Sequence, residues 1–141
     1  MGKSVNNTCP HLFSPLRIGR INLKNRIEFP PVSPHTATSD GYVSRELIEW
    51  GRQFARGGAA IVTIGDSSVV APAGPLHRSH TIHLGTEKCV NTLHRFVDVV
   101  QRYGARASIQ LNYHHHCPPS EMTHQDIQQI RKYFTEAAYR C

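Results

Sequence analysis

Gly57-Gly58-Ala59-Ala60-Ile61-Val62-Thr63-Ile64-Gly65 and, further along, Gly104-Ala105-Arg106-Ala107-Ser108-Ile109-Gln110-Leu111-Asn112 share one design. Each is a glycine stop followed by a run dominated by apolar residues, and each follows a helical pattern. Apolar runs so placed describe parallel strands buried on both faces. In the second stretch Gln110 stands where the run ends. A polar amide there has little packing purpose, whereas α/β folds place ligand-contacting groups at the C-terminal ends of their strands. The chain therefore reads as repeated β-α units carrying a site on one rim.

The flanking residues extend this pattern. His11-Leu12-Phe13-Ser14-Pro15-Leu16-Arg17-Ile18-Gly19-Arg20-Ile21-Asn22-Leu23 alternates apolar and polar residues around Gly19-Arg20, as a short hairpin does. Asn25-Arg26-Ile27-Glu28-Phe29 reads as a first core strand, expected to stop at Pro30-Pro31 because proline has no N–H to give a ladder. Residues 32–42 read as a loop. Ser44 is expected to cap a helix with Leu47, Ile48, Gly51, Phe54 and Ala55 on one face, ended by Gly57-Gly58. Trp50 should pack that helix on a strand. Residues 66–85 read as a long loop. The spacing of Val90, Leu93, Val97 and Val100 predicts a second helix over 86–103, followed by a strand over 107–112. After a loop over 113–122, Thr123 and Asp126 form a capping-box variant. It opens a third helix with Ile127, Ile130, Phe134, Ala137, Ala138 and Cys141 on one face. Crossovers of this length make the strands parallel and the connections right-handed.

With 141 residues one domain is expected, with residues 1–10 a polar tail and 11–141 the folded part. Sixteen Lys+Arg against ten Asp+Glu give a formal charge of +6, but the basic residues are scattered singly. That argues against a nucleic-acid face, which needs a contiguous patch, and favours a phosphorylated small molecule. Cys9, Cys89, Cys117 and Cys141 form no C-x-x-C pair and read as independent thiols in a reducing compartment. No apolar stretch is long enough for a membrane span, and residues 1–7 lack a signal-peptide core, so a cytoplasmic protein is expected.

Phe13-Ser14-Pro15-Leu16-Arg17-Ile18-Gly19, Leu23-Lys24-Asn25-Arg26-Ile27, Asp40-Gly41-Tyr42-Val43-Ser44, Arg56-Gly57-Gly58-Ala59-Ala60-Ile61-Val62 and Ile109-Gln110-Leu111-Asn112 together resemble the old yellow enzyme family of FMN-dependent oxidoreductases. The likeness is greatest to its 2-enoate and 2,4-dienoyl-CoA reductase branch. It implies an α/β fold, the N-terminal part of a TIM (β/α)8 barrel: a hairpin and then three β-α units. A complete barrel takes about 250 residues, so the resemblance implies a truncated barrel. It also implies FMN at the barrel mouth, NAD(P)H as electron donor and reduction of an activated, enoate-like alkene. By motif, Pro31, Val32 and Ser33 would contact the flavin after the first strand, with Ser33 near a flavin carbonyl. Gly65 and Asp66 would offer backbone groups, and Gln110 would hold the pyrimidine edge, an amide being able to donate and accept. The substrate-binding residues, the phosphate loops and the iron–sulfur cysteines of this branch would all fall beyond Cys141. Where the family carries Gln-Leu-x-His-x-Gly-Arg, this chain has Asn112-Tyr113-His114-His115-His116-Cys117-Pro118. No catalytic proton donor is identified; Tyr113 has only its position to recommend it.

Each residue also has a plainer explanation. Gln110 fits as a strand-end amide satisfied by backbone, Ser33 as a turn serine, Gly65 as a tight strand exit and Asp66 as a cap or turn former. His114, His115, His116 and Cys117 have metal-binding chemistry. Adjacent residues in an extended loop point apart, so a solvent-facing loop and no metal site are expected. His77, His80 and His83 are likewise read as exposed. Gly65-Asp66-Ser67-Ser68 lacks the glycine of a nucleophile elbow, and Gly57-Gly58 is no dinucleotide fingerprint. A second reading is a non-catalytic α/β fragment stabilised as a homo-oligomer, since three strands leave two open edges and an exposed apolar sheet face. A third is a His-rich metal module.

Overall fold

Gly19 turns the chain first. Its φ of +55° lies in the left-handed region that glycine enters without steric cost, and it joins β1 (Leu16–Ile18) to β2 (Ile21–Leu23) as an antiparallel hairpin. The structure is a computed structural model that describes residues 9–71, 79–114 and 118–141. Beneath the hairpin the buried Asn25 donates Nδ2–H to the Gly58 carbonyl at 2.8 Å, and Lys24 Nζ donates to the Tyr103 carbonyl at 2.7 Å. Gly58 and Tyr103 each precede a strand, so these bonds fasten the hairpin region to the N-terminal end of the main sheet.

That sheet has three parallel strands in the order β3 (Glu28–Val32), β4 (Ile61–Ser68), β5 (Arg106–Asn112). The helices α1 (Arg45–Arg56), α2 (Lys88–Gln101) and α3 (His124–Arg140) alternate with them. The expected hairpin followed by three β-α units is the observed order. Ser44 caps α1 by accepting the Leu47 N–H at 3.0 Å and donates its hydroxyl to the Thr36 carbonyl. Thr123 and Asp126 form the full capping box at the start of α3.

Leu47, Ala55, Val62, Ile64, Leu93, Phe96 and Val100 build the core between helices and sheet. Gly51 is required there: a Cβ on it would lie 2.3 Å from the Phe96 ring. Trp50 joins the cluster as expected, edge-on to Phe29 at 5.2 Å. Cys89 and Phe96 also belong to the core; both are 1% exposed, on a stripe of α2 beside the one read from the valines. Val90 and Val97 are only partly buried, and in α3 only Ala137 is fully buried while Ile127 is 44% exposed.

Four expectations change. Pro30 and Pro31 do not stop the first strand but lie inside β3. They are tolerated because β3 is an edge strand whose register slips between Phe29 and Val32. The long loop begins later, because β4 runs through Gly65 and Asp66 to Ser68. His83 is 2% exposed, packed on Gly41 with Nδ1 3.2 Å from the Val70 carbonyl, because Ser68 draws this segment into a parallel bridge. His80 is exposed but tied to Ala37, with Nδ1 2.9 Å from its carbonyl, and His77 lies outside the described residues. Finally, the open sheet face is polar. Phe29, Val62, Ile64, Ala107, Ile109 and Leu111 turn to the helices. By alternation Glu28, Thr63, Arg106, Ser108 and Gln110 take the other face together with Ile61, and there Thr63 donates its hydroxyl to Glu28 at 2.9 Å.

Candidate functional site

Parallel strands place all their C-terminal ends on one rim, and that rim gathers the six residues singled out in the sequence. Pro31 and Val32 end β3, Ser33 follows directly, Gly65 and Asp66 lie near the end of β4, and Gln110 lies near the end of β5. Gly65 seats the end of β3 against β4: a Cβ there would come within 2.7 Å of the Val32 carbonyl carbon and 2.8 Å of that of Pro31. Ser33 and Gly65 line one small cavity with Ile64, Ala37, Leu47 and Ile82.

The backbone at Gly65 and Asp66 is out of register. Ile64 pairs with Ile109 and Ser67 with Leu111, so one residue of β5 is matched by two of β4. Asp66 sits in this bulge at φ +56°, left-handed for a residue with a side chain. Its N–H, without a ladder acceptor, is taken up at 3.1 Å by Oε1 of Gln110. Gln110 therefore spends part of its acceptor capacity inside the protein, while its NH2 group belongs to an exposed residue at the rim.

Two residues outside those six complete the arrangement. Asn112 donates Nδ2–H to Asp66 Oδ1 at 2.6 Å, and His114 Nε2 lies 2.8 Å from the same oxygen. This second contact is an ion-pair approach whose ring N–H is not aligned as a hydrogen bond. Side-chain exposure there is 18% for His114 and 16% for Asp66, so His114 is not the solvent-facing residue expected. The signal was present: Gln110, Asn112 and His114 alternate at period two and share one side of an extended strand. His115, His116 and Cys117 lie outside the described residues. Among the described residues no group of three or more His, Cys, Asp or Glu could hold a metal ion. Tyr113 is drawn away to α3, where its ring stacks on Tyr133 at 6.1 Å and burial pushes its hydroxyl pKa up. A larger cavity, about 250 Å³, lies on the helix side of the sheet between α2, β5 and Cys141. Its lining is mostly apolar.

Comparison with known proteins identifies the family and the fold. The NADH:flavin oxidoreductase / NADH oxidase family matches residues 11–118. An NADH oxidase from Thermoanaerobacter brockii is 32% identical over 104 residues, covering 74% of this chain and 16% of that protein. A 4,4'-dithiodibutanoate disulfide reductase from Rhodococcus erythropolis is 35% identical over 108 residues, covering 74% of this chain and 25% of that one. An old yellow enzyme from Pichia superposes with a TM-score of 0.79 at 22% identity, over 92% of this chain and 42% of the enzyme. The chain thus spans a quarter or less of these curated relatives. Neither the family description nor these relatives' names support the iron–sulfur cluster that the resemblance implied for its branch, beyond this chain's own residues. The match over residues 11–118 places this chain in the NADH:flavin oxidoreductase / NADH oxidase family, and its hairpin and parallel β-α units have the fold of the first part of an old yellow enzyme TIM barrel.

Proposed function

We propose that this chain supplies the flavin-edge grip of an FMN-dependent oxidoreductase that uses NAD(P)H to reduce an activated, enoate-like alkene. The observation that carries the reading is the convergence of Ser33, Gly65, Asp66 and Gln110 on one rim, with out-of-register backbone beside an exposed amide. The fit is that of a flat heterocycle with carbonyl and N–H groups along its edge. Gln110 offers its NH2 to a carbonyl oxygen. The Gly65-Asp66 backbone on the central strand and the Pro31-Val32-Ser33 segment at the end of β3 would border the ring. Bound FMN would supply hydride transfer between the nicotinamide and the alkene. The chain's own part is to orient the ring and set the polarity at its edge. The phosphate grip of such barrels is built by loops after the seventh and eighth strands, so a full holoenzyme needs more barrel than these three units.

Titrating FMN into the purified protein and following flavin fluorescence tests this. Saturable uptake is expected, weakened about three- to tenfold by Gln110→Ala, the value of one neutral hydrogen bond. A colourless protein that takes up no added FMN overturns the proposal.

Self-association forms part of the same reading, supported by the open outer edge of β5. A cytoplasmic location is proposed with it, supported by the free thiols of Cys9, Cys89 and Cys141. Among the described residues no helix is long and apolar enough to cross a membrane.

A further inference from the structure

We infer that Asn112 and His114 are positioning residues that clamp Asp66 in its left-handed conformation and so hold the rim backbone ready for the flavin edge. The inference rests on the flavin reading above and deepens it. A left-handed conformation is disfavoured for a residue with a side chain, though less for Asp than for most, and it persists where the surroundings hold it. Here the surroundings do. Gln110 and Asn112 of β5, and His114 two residues past its end, reach across to the left-handed residue of β4. Gln110 takes its N–H at 3.1 Å, Asn112 gives an N–H to its Oδ1 at 2.6 Å, and His114 Nε2 stands 2.8 Å from that oxygen.

The two ends of the clamp serve different purposes. Gln110 replaces the ladder acceptor lost at the bulge, and in doing so fixes its own amide plane and the direction of its NH2. Asn112 and His114 act on the carboxylate and never need to touch the ligand. If the carboxylate is released, Asp66 is free to leave the left-handed region, the Asp66–Gln110 bond opens and the Gln110 amide turns. The loss at the flavin edge is thus transmitted through Asp66. This predicts non-additivity, since His114 has nothing to act on once the carboxylate is gone.

Two measurements on the full chain decide it. The first is amide hydrogen exchange without flavin. His114→Ala and Asn112→Ala are expected to speed exchange of the Asp66 amide about tenfold while those of Val62 and Ile64 stay as they are. His114→Gln, whose amide can donate to Oδ1, should restore most of the protection. The second is the FMN titration: His114→Ala and Asp66→Ala should each weaken binding several-fold, and the double variant no more than Asp66→Ala alone. Unchanged Asp66 exchange in both alanine variants overturns the clamp, as does a double variant whose losses multiply. A wild-type chain that binds no FMN but shows the predicted exchange pattern removes the flavin reading and leaves the clamp standing as structure.

Discussion

Gly65 and Gly19 show how differently two glycines are used. At Gly65 the constraint is room: an added Cβ meets backbone carbons of Pro31 and Val32 at 2.8 and 2.7 Å, and backbone cannot rotate away. At Gly19 there is no atom within 4 Å, and only the φ of +55° disfavours a side chain. Gly65→Ala is therefore expected to cost about 2–3 kcal/mol, the range of overpacking, and to disturb the rim. Gly19→Ala should cost about 1 kcal/mol and leave ligand uptake intact. Urea denaturation of both variants checks the order; equal losses would contradict it. The cysteines separate in the same way. Cys9 is exposed, whereas burial, and next the nearby Cys141, push the Cys89 thiol pKa up. A buried thiol with a raised pKa is inert, so mapping with a thiol reagent at neutral pH should label Cys9 readily and Cys89 only on unfolding. The raised pKa also gives a sign. The folded state favours the neutral thiol, so this contribution to stability is intact below the ordinary thiol value and is lost as pH rises through it. The melting temperature should fall over that alkaline range, and Cys89→Ala should flatten the fall.

At the scale of the element, the caps and glycine stops were legible because they act locally. Ser44 and Leu47, Thr123 and Asp126, and Gly57-Gly58 all work within a few residues of one another, and each did what its position implied. Ser44→Ala should accordingly cost about 1 kcal/mol in a thermal melt, the usual value of a lost N-cap. Phe96→Ala should cost about 3–5 kcal/mol, because α2 lacks a side-chain cap and depends on burying this ring against Gly51. What stayed hidden was decided by neighbours far along the chain. Pro30 and Pro31 read as a stop until β3 is known to be an edge strand, where one side of the ladder is absent. His83 read as exposed because its burial comes from Ser68 and Gly41, on separate segments. The candidate site divides in the same manner. Its six residues were marked by strand ends and by resemblance, whereas the bulge at Gly65 and Asp66 exists only in the pairing of β4 with β5. Asn112 and His114 gain their meaning from that bulge.

For the molecule as a whole, the two outer strands are unequal edges. β3 is short and carries Pro30 and Pro31, which have no N–H to offer a neighbour, so it is blunted against pairing. β5 is seven residues long with no proline. In a parallel strand the N–H and C=O of alternate residues point to opposite sides. Arg106 donates to the Ala60 carbonyl, and the Asn112 carbonyl accepts from Val69, so the even-numbered residues of β5 face β4. Ala107, Ile109 and Leu111 then turn their backbone groups to the open side. In a complete barrel the next strand would cover them; under the proposed self-association a second copy would do so. Sedimentation over about 5–200 μM should show a rising fraction of dimer. The amides of Ala107 and Ile109 should exchange quickly when dilute and slow as the dimer forms, while those of Arg106 and Ser108 stay protected throughout. Association through β3 or through the hairpin would leave Ala107 and Ile109 fast at every concentration, and a monomer across the whole range would remove the pairing altogether.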